Sequence, residues 1–102
     1  QIPKDSIQGS YTTQVETDGS ADIITFDEEA SLFIYYRNGV EIDRGSFSKV
    51  DHYIYEIQGE LQNTYIILNE DNSFYYPLSN DQGVYTSFIK MDYISRAIRY
   101  FE

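Results

Sequence analysis

From Gly9 onward the chain runs in short apolar segments separated by turn-forming residues at intervals of roughly 8 to 12, the spacing of an all-β sandwich or barrel. The pattern predicts strands near 9–17, 21–27, 31–37, 40–49, 52–58, 62–69, 73–78 and 83–91. Between them stand TDGS, DEEA, RNG, KVD, QGELQ, NEDNS and SNDQG, whose residues favour chain reversal. In the first segment Tyr11, Thr13 and Val15 share one face, opposite Ser10, Thr12, Gln14 and Glu16. No segment before residue 91 sustains a helical period. Residues 1–8 are polar and carry Pro3, and they read as a tail before a single domain of residues 9–102. The closing MDYISRAIRYFE fits two readings. As a short helix capped by Asp92 it places Met91, Ile94, Ile98 and Phe101 on one face. As a strand it places Ile94, Arg96, Ile98 and Tyr100 together.

The stretch YRNGVEIDRGSF sets a register. Asn38-Gly39 suits a two-residue type I′ turn, which needs positive φ at both central residues. Arg37 then faces Val40, Tyr36 faces Glu41, Tyr35 faces Ile42 and Phe33 faces Arg44. Paired residues share a face, so Phe33, Tyr35, Val40 and Ile42 are the expected core side. Leu32, Ile34 and Tyr36 fall on the opposite side beside Glu41 and Asp43. That apolar back face is either covered by the tail or the C-terminal segment, or it is a partner site. Strict alternation would turn Phe47 outward. A β-bulge at Gly45 restores it to the core side and bends the strand toward barrel closure. The later stretch TYIILNEDNSFYYPL is also apolar on both sides, with Tyr65, Ile67 and Tyr75 as an outward aromatic patch or as core.

Composition narrows the function classes. At 102 residues the chain buries roughly two thirds of its unfolded surface in one core. Seventeen acidic residues against seven basic ones give −10, which disfavours nucleic acid and anionic membranes. There are 11 Tyr and 6 Phe, suited to half-buried pleated surfaces, and no Cys, so disulfides and thiolate metal sites are excluded.

Candidate chemistry is sparse. His52 is the only histidine and reads as a strand-end surface residue. SFSK, Ser46 to Lys49, has the Ser-x-x-Lys spacing of β-lactamases but lies in a predicted strand, without the helical context that chemistry needs. The acidic runs Asp27–Glu29 and Asn69–Asn72 lack the alternating ligands and central Gly of a calcium loop. No catalytic residue, metal site or cofactor is expected.

GSY at 9–11, GSF at 45–47 and GVY at 83–85 recur at intervals of 36 and 38 residues, each expected to start or re-phase a strand with an inward aromatic. The first resembles the Gly-x-Trp that opens the first strand of lipocalins, with Tyr11 in place of Trp. The chain as a whole resembles the small lipocalin-like barrels found as cell-envelope lipoproteins of Gram-positive bacteria. That resemblance implies an antiparallel meander barrel of about eight strands and an extracellular, envelope-associated location, secreted or lipid-anchored. It also implies that Arg96 or Arg99 packs over Tyr11 by a cation–π contact. An OB-like or other small meander barrel is the fold alternative. The chain starts QIPKDSIQ without an initiator Met, as a processed or shortened form would, so membrane attachment is expected only through an N-terminal lipid outside this sequence.

The leading expectation is a non-catalytic binding domain for a protein partner or small ligand, using the outward residues Leu32, Ile34, Tyr36, Tyr65 and Tyr75. Gly39, Gly45, Tyr11, Arg96 and Arg99 are expected to serve structure. A self-associating domain that dimerises through the Leu32/Ile34/Tyr36 face is the second reading, and a small carboxylate-dependent enzyme the third.

Overall fold

Strand periodicity and turn chemistry resolve into an all-antiparallel barrel. The computed structural model describes residues 3–77 and 83–91. Its strands are β1 (Gly9–Thr12), β2 (Asp22–Asp27), β3 (Leu32–Arg37), β4 (Val40–Asp51), β5 (Ile54–Gly59), β6 (Asn63–Ile67), β7 (Ser73–Pro77) and β8 (Tyr85–Lys90). They form one sheet in the order β6-β5-β4-β3-β2-β1-β8-β7. Successive strands are neighbours, and β8 returns to β1 through Tyr11 opposite Lys90 and Thr12 opposite Ile89. The barrel is nearly closed. Strands β6 and β7 end the sheet order and share no ladder among the described residues, but their hairpin joins them at Asn69 N–H to Ser73 O (2.8 Å). At the far end the Gln62 amide donates to Pro77 O (2.9 Å).

All eight expected strands are present. The first is shorter than its alternation suggested, because Asp18 and Gly19 (φ +86°) turn the chain and leave Val15 exposed. Asn38 and Gly39 adopt φ of +51° and +81°, as the type I′ turn requires. In the β6–β7 hairpin, which has no Gly, Asn72 takes the left-handed conformation at +63°.

Inward residues of every strand meet in an aromatic core. Tyr11, Ile24, Phe26, Phe33, Tyr35, Phe47, Tyr55, Ile57, Ile66, Phe74, Tyr76 and Phe88 are all buried. The Phe26 ring meets Tyr11, Phe47 and Phe74 edge-on at centroid separations of 5.8, 5.2 and 6.0 Å. Phe74 stacks on Phe88 at 5.4 Å. A narrow eight-stranded barrel is filled by side chains of this size, and edge-on ring pairs add to what burial alone contributes.

The register of β3 on β4 corrects the sequence reading at one point. Arg37–Val40 and Tyr36–Glu41 pair as expected, but the bulge falls at Ile42 and not at Gly45. Tyr35 therefore faces Asp43 and Phe33 faces Gly45. Phe47 does point inward, as expected, while Val40 is exposed and Ile42 packs only partly on the core. Two local demands move the bulge. With Ile42 looped out, Asp43 turns inward, and its buried carboxylate accepts the N–H groups of Arg44 (2.8 Å) and Leu61 (2.9 Å). Gly45 then sits in regular pairing with Gly59, where the β5 backbone crosses the space a side chain would fill. A Cβ at 45 would lie 2.0 Å from Gln58 O and 2.9 Å from Gly59 Cα.

Residues 3–8 do more than lead into the barrel. They cross its base, the end that carries the β2–β3, β4–β5 and β6–β7 turns. Ile7 is fully buried in the core cluster. Glu28 accepts the Ser6 hydroxyl (2.6 Å) and the Ile7 N–H (3.2 Å), and the Tyr55 hydroxyl donates to Asp5 O. The Asp5 carboxylate takes Lys49 (2.5 Å) and His52 (3.0 Å).

Candidate functional site

Alternation that buries Phe74, Tyr76 and Phe88 forces Tyr75, Tyr85 and Ile89 outward. Tyr75 lies opposite Ser87, so its diagonal neighbours on that face are Tyr85 and Ile89. Across the β6–β7 hairpin, Tyr65 and Ile67 face out in the same way, alternating with the buried Ile66 and Leu68. Tyr65, Ile67, Tyr75, Tyr85 and Ile89 are 64%, 62%, 62%, 59% and 56% exposed. With large side chains offering about 200 Å² each, the five together expose roughly 600 Å² of apolar surface. Sequence reading left Tyr65, Ile67 and Tyr75 as an outward set or as core, and the structure exposes all three. It missed Ile89, and it expected Tyr85 to point inward as the third Gly-x-aromatic. Tyr85 is outward because Phe88 sets the phase of β8. Phe88, the one buried residue of that strand, was the available signal.

The second expected surface is divided. Leu32, Ile34 and Tyr36 do share the outer side of β3, but only Leu32 is open, at 47% exposure. Tyr36 is half-buried and Ile34 is buried. Ile34 therefore cannot contact a partner as the surface stands. Tyr11 points into the core beneath Phe26 and Phe74. Arg96 and Arg99, expected to cover it, lie outside the described residues, as does the segment 92–101 with its two readings.

At the rim opposite the base, Tyr35, Asp22 and Arg37 form a polar cluster, and Asp22 and Arg37 line a cleft of about 420 Å³ with Thr13, Asn38 and Thr86. The Tyr35 hydroxyl donates to Asp22 Oδ2 (2.5 Å), and Arg37 donates to the same carboxylate through Nε and Nη2 (3.2 and 3.0 Å). The Asp22 bond holds the guanidinium proton more firmly still. Burial, and then the hydrogen bond to Asp22, push the Tyr35 hydroxyl well above the usual tyrosine range. Because cation and anion neutralise each other, the cluster ties β2 to β3 and offers no unpaired charge to a ligand.

The remaining candidates resolve into structural roles. His52 is an exposed strand-end residue that leans on Asp5. Ser46 and Lys49 lie on opposite faces of β4, and Lys49 is paired with Asp5. Asp27 accepts the N–H groups of Glu29 and Ala30, and Asp71 accepts those of Ser73 and its hydroxyl, so both acidic runs stabilise their own turns. Among the described residues no three His, Asp or Glu side chains stand close enough to share a metal. The hydroxyls of Tyr11 and Tyr76 are buried with no hydrogen-bond partner among those residues, and burial drives both away from ionisation. The bare five-residue face of β6–β8 is the feature that packing and turn chemistry leave unexplained. No known family, characterised protein or solved structure matches this chain, so that face is read on its own chemistry.

Proposed function

We propose that this barrel is a non-catalytic binding domain acting outside the cytoplasm, and that it takes a protein partner on the outer face of β6–β8. The observation that carries the reading is the outward exposure of Tyr65, Ile67, Tyr75, Tyr85 and Ile89 on three successive strands. Exposed tyrosines flanked by aliphatic residues are the composition of interface hot spots, because each ring covers a large area at a low cost in conformational entropy. A charge of −10 favours a neutral or basic partner over nucleic acid. The ring-filled interior favours a ligand on the outside over one enclosed in the barrel. The extracytoplasmic location rests on the likeness of the strand pattern to small lipocalin-like envelope lipoproteins, and attachment through an N-terminal lipid belongs to the same reading.

The test is a photo-cross-linking residue at Tyr75, compared in the producing cells with the same residue at Val40, which is equally exposed elsewhere on the barrel. A protein captured from Tyr75 and not from Val40 is purified and its binding measured. Tyr65→Ser combined with Tyr75→Ser weakens that binding at least about tenfold. Equal capture from both positions, or capture only of further copies of this chain, overturns the reading.

A further inference from the structure

Residues 3–8 cross the base as a piece of chain that joins no strand ladder. Among the described residues, every bond that ties them to the barrel uses a side chain on one partner or both. The Glu28 carboxylate accepts the Ser6 hydroxyl (2.6 Å) and the Ile7 N–H (3.2 Å), and the Gln8 side-chain oxygen accepts the Glu28 N–H (2.7 Å). The Tyr55 hydroxyl donates to Asp5 O, while Lys49 and His52 meet the Asp5 carboxylate. Strand β1 begins at Gly9, and its pairs with β2 and β8 involve none of these residues. The segment can therefore lift away without breaking a main-chain bond of the sheet.

The contacts read a peptide in order. An acidic side chain, Asp5, meets Lys49 and His52 at the end of β4. A hydroxyl, Ser6, meets Glu28, and a branched aliphatic, Ile7, is fully buried in the core cluster. Main-chain groups are read as well, the Asp5 carbonyl by Tyr55 and the Ile7 N–H by Glu28. Main-chain bonds interleaved with side-chain pockets are how proteins recognise extended peptides.

Two features set this occupant apart from a finished piece of core. The Tyr11 hydroxyl is buried with no partner among the described residues. Burial, and then Tyr55 and Glu28, oppose its ionisation, so it lies close to the two groups that hold the main chain of the segment. A sealed hydroxyl without a partner is unfavourable, and it regains water once its cover lifts. The flank of the segment is also open, since Pro3, Lys4 and Ser6 border a cleft of about 480 Å³ with Tyr53, Glu70 and Lys90.

We propose that the base of the barrel is a peptide-binding groove, occupied in cis by Asp5, Ser6 and Ile7. In trans it takes a partner segment that presents an acidic, a hydroxyl and a branched aliphatic residue in that order. The tethered segment competes at the roughly millimolar effective concentration that a short linker gives, so it closes the groove to weak ligands.

The test uses the full-length, isotope-labelled protein and the capped peptide Lys-Asp-Ser-Ile-Gln as the probe. In Ile7→Ala, whose own segment fills the groove poorly, the peptide shifts the amide signals of Glu28, Lys49 and Tyr55 and leaves those of Tyr65 and Tyr75 in place. It binds the unaltered protein at least about tenfold more weakly, and Ala in place of its Ile removes binding to both. No shift at the base, equal affinity for the two chains, or binding that ignores the Ile overturns the proposal. Native-state hydrogen exchange on the unaltered protein decides the matter even where Ile7→Ala does not fold. Relative to intrinsic rates, the Ile7 amide exchanges at least about a hundredfold faster than the amides bonded between β3 and β4. Equal protection overturns the proposal, because the segment then leaves only when the barrel unfolds. Tyr11→Phe slows exchange at Ile7, since no hydroxyl is then sealed, and unchanged or faster exchange overturns the role given to Tyr11. None of these results depends on the partner of the β6–β8 face.

Discussion

Gly45→Ala is the sharpest probe of the β4–β5 crossing. The added methyl would stand 2.0 Å from Gln58 O, whereas a carbon and a carbonyl oxygen settle near 3.3 Å at closest. The β5 backbone must therefore withdraw by roughly 1.3 Å, since the clash is with main chain and not with a side chain that can swing aside. That displacement strains the neighbouring bond from Glu60 N–H to Arg44 O, now 2.9 Å. Over-packing at about 1–3 kcal/mol and a weakened bond at about 1 kcal/mol sum to roughly 2–4 kcal/mol. For a domain of this size that lowers the melting temperature by about 10–20 °C. Urea and thermal unfolding followed by circular dichroism measure it, with tyrosine fluorescence as a second probe because the chain has no Trp. Gly39→Ala is the comparison. It meets nothing within 4 Å but forces φ of +81° on an Ala, at about 1–2 kcal/mol. Were position 45 a roomy bulge, Gly45→Ala would be the milder change. That order of stabilities, or a Gly45→Ala cost below about 0.5 kcal/mol, refutes the close crossing.

Asp43→Ala strips the acceptor from the Leu61 and Arg44 N–H groups and costs about 2–4 kcal/mol in urea unfolding, whereas Asp43→Asn keeps an oxygen and costs less. Equal losses in the two variants would show that the carboxylate is not holding the β5–β6 loop. Burial raises the hydroxyls of Tyr11, Tyr35 and Tyr76, and lifts Tyr55 to about 12. A raised tyrosine stabilises the fold below the ordinary value of 10.0 and ceases to do so as the pH climbs through its folded value. Absorbance at alkaline pH therefore shows these four ionising together with loss of the circular dichroism signal, and early independent ionisation of all eleven tyrosines contradicts the buried core. Asp5 is held below the usual 3.8, first by Lys49 and then by His52. Its contribution is complete above that value and is lost as the pH falls through the lower folded one, so the protection of the Ile7 amide relative to its intrinsic exchange rate drops in acid. Asp5→Asn abolishes that pH step, and an unchanged step in the variant assigns it to another group.

How much was legible in the chain differs by element. The Asn38-Gly39 turn, the eight strands and the inward Phe47 follow from φ preferences and a two-residue period, which are local properties. The bulge was detectable as a phase conflict between Ile42 and Phe47, but its position was not. It depends on Leu61 supplying a donor to Asp43 and on β5 passing over Gly45, both more than a dozen residues away.

The two apolar outer faces divide in the same way. Leu32, Ile34 and Tyr36 look as exposed in sequence as Tyr65, Ile67 and Tyr75, because alternation specifies only that a residue points out of the barrel. Burying Ile34 while leaving Tyr75 bare is a matter of tertiary packing, which strand phase does not specify. The sequence by itself determined the strands, their turns and the two sides of each strand, since backbone sterics and pleating act between near neighbours. Only the tertiary structure decided where β4 bulges, why Gly45 carries no side chain and which outer face stays open, because those depend on contacts made when distant strands close the barrel.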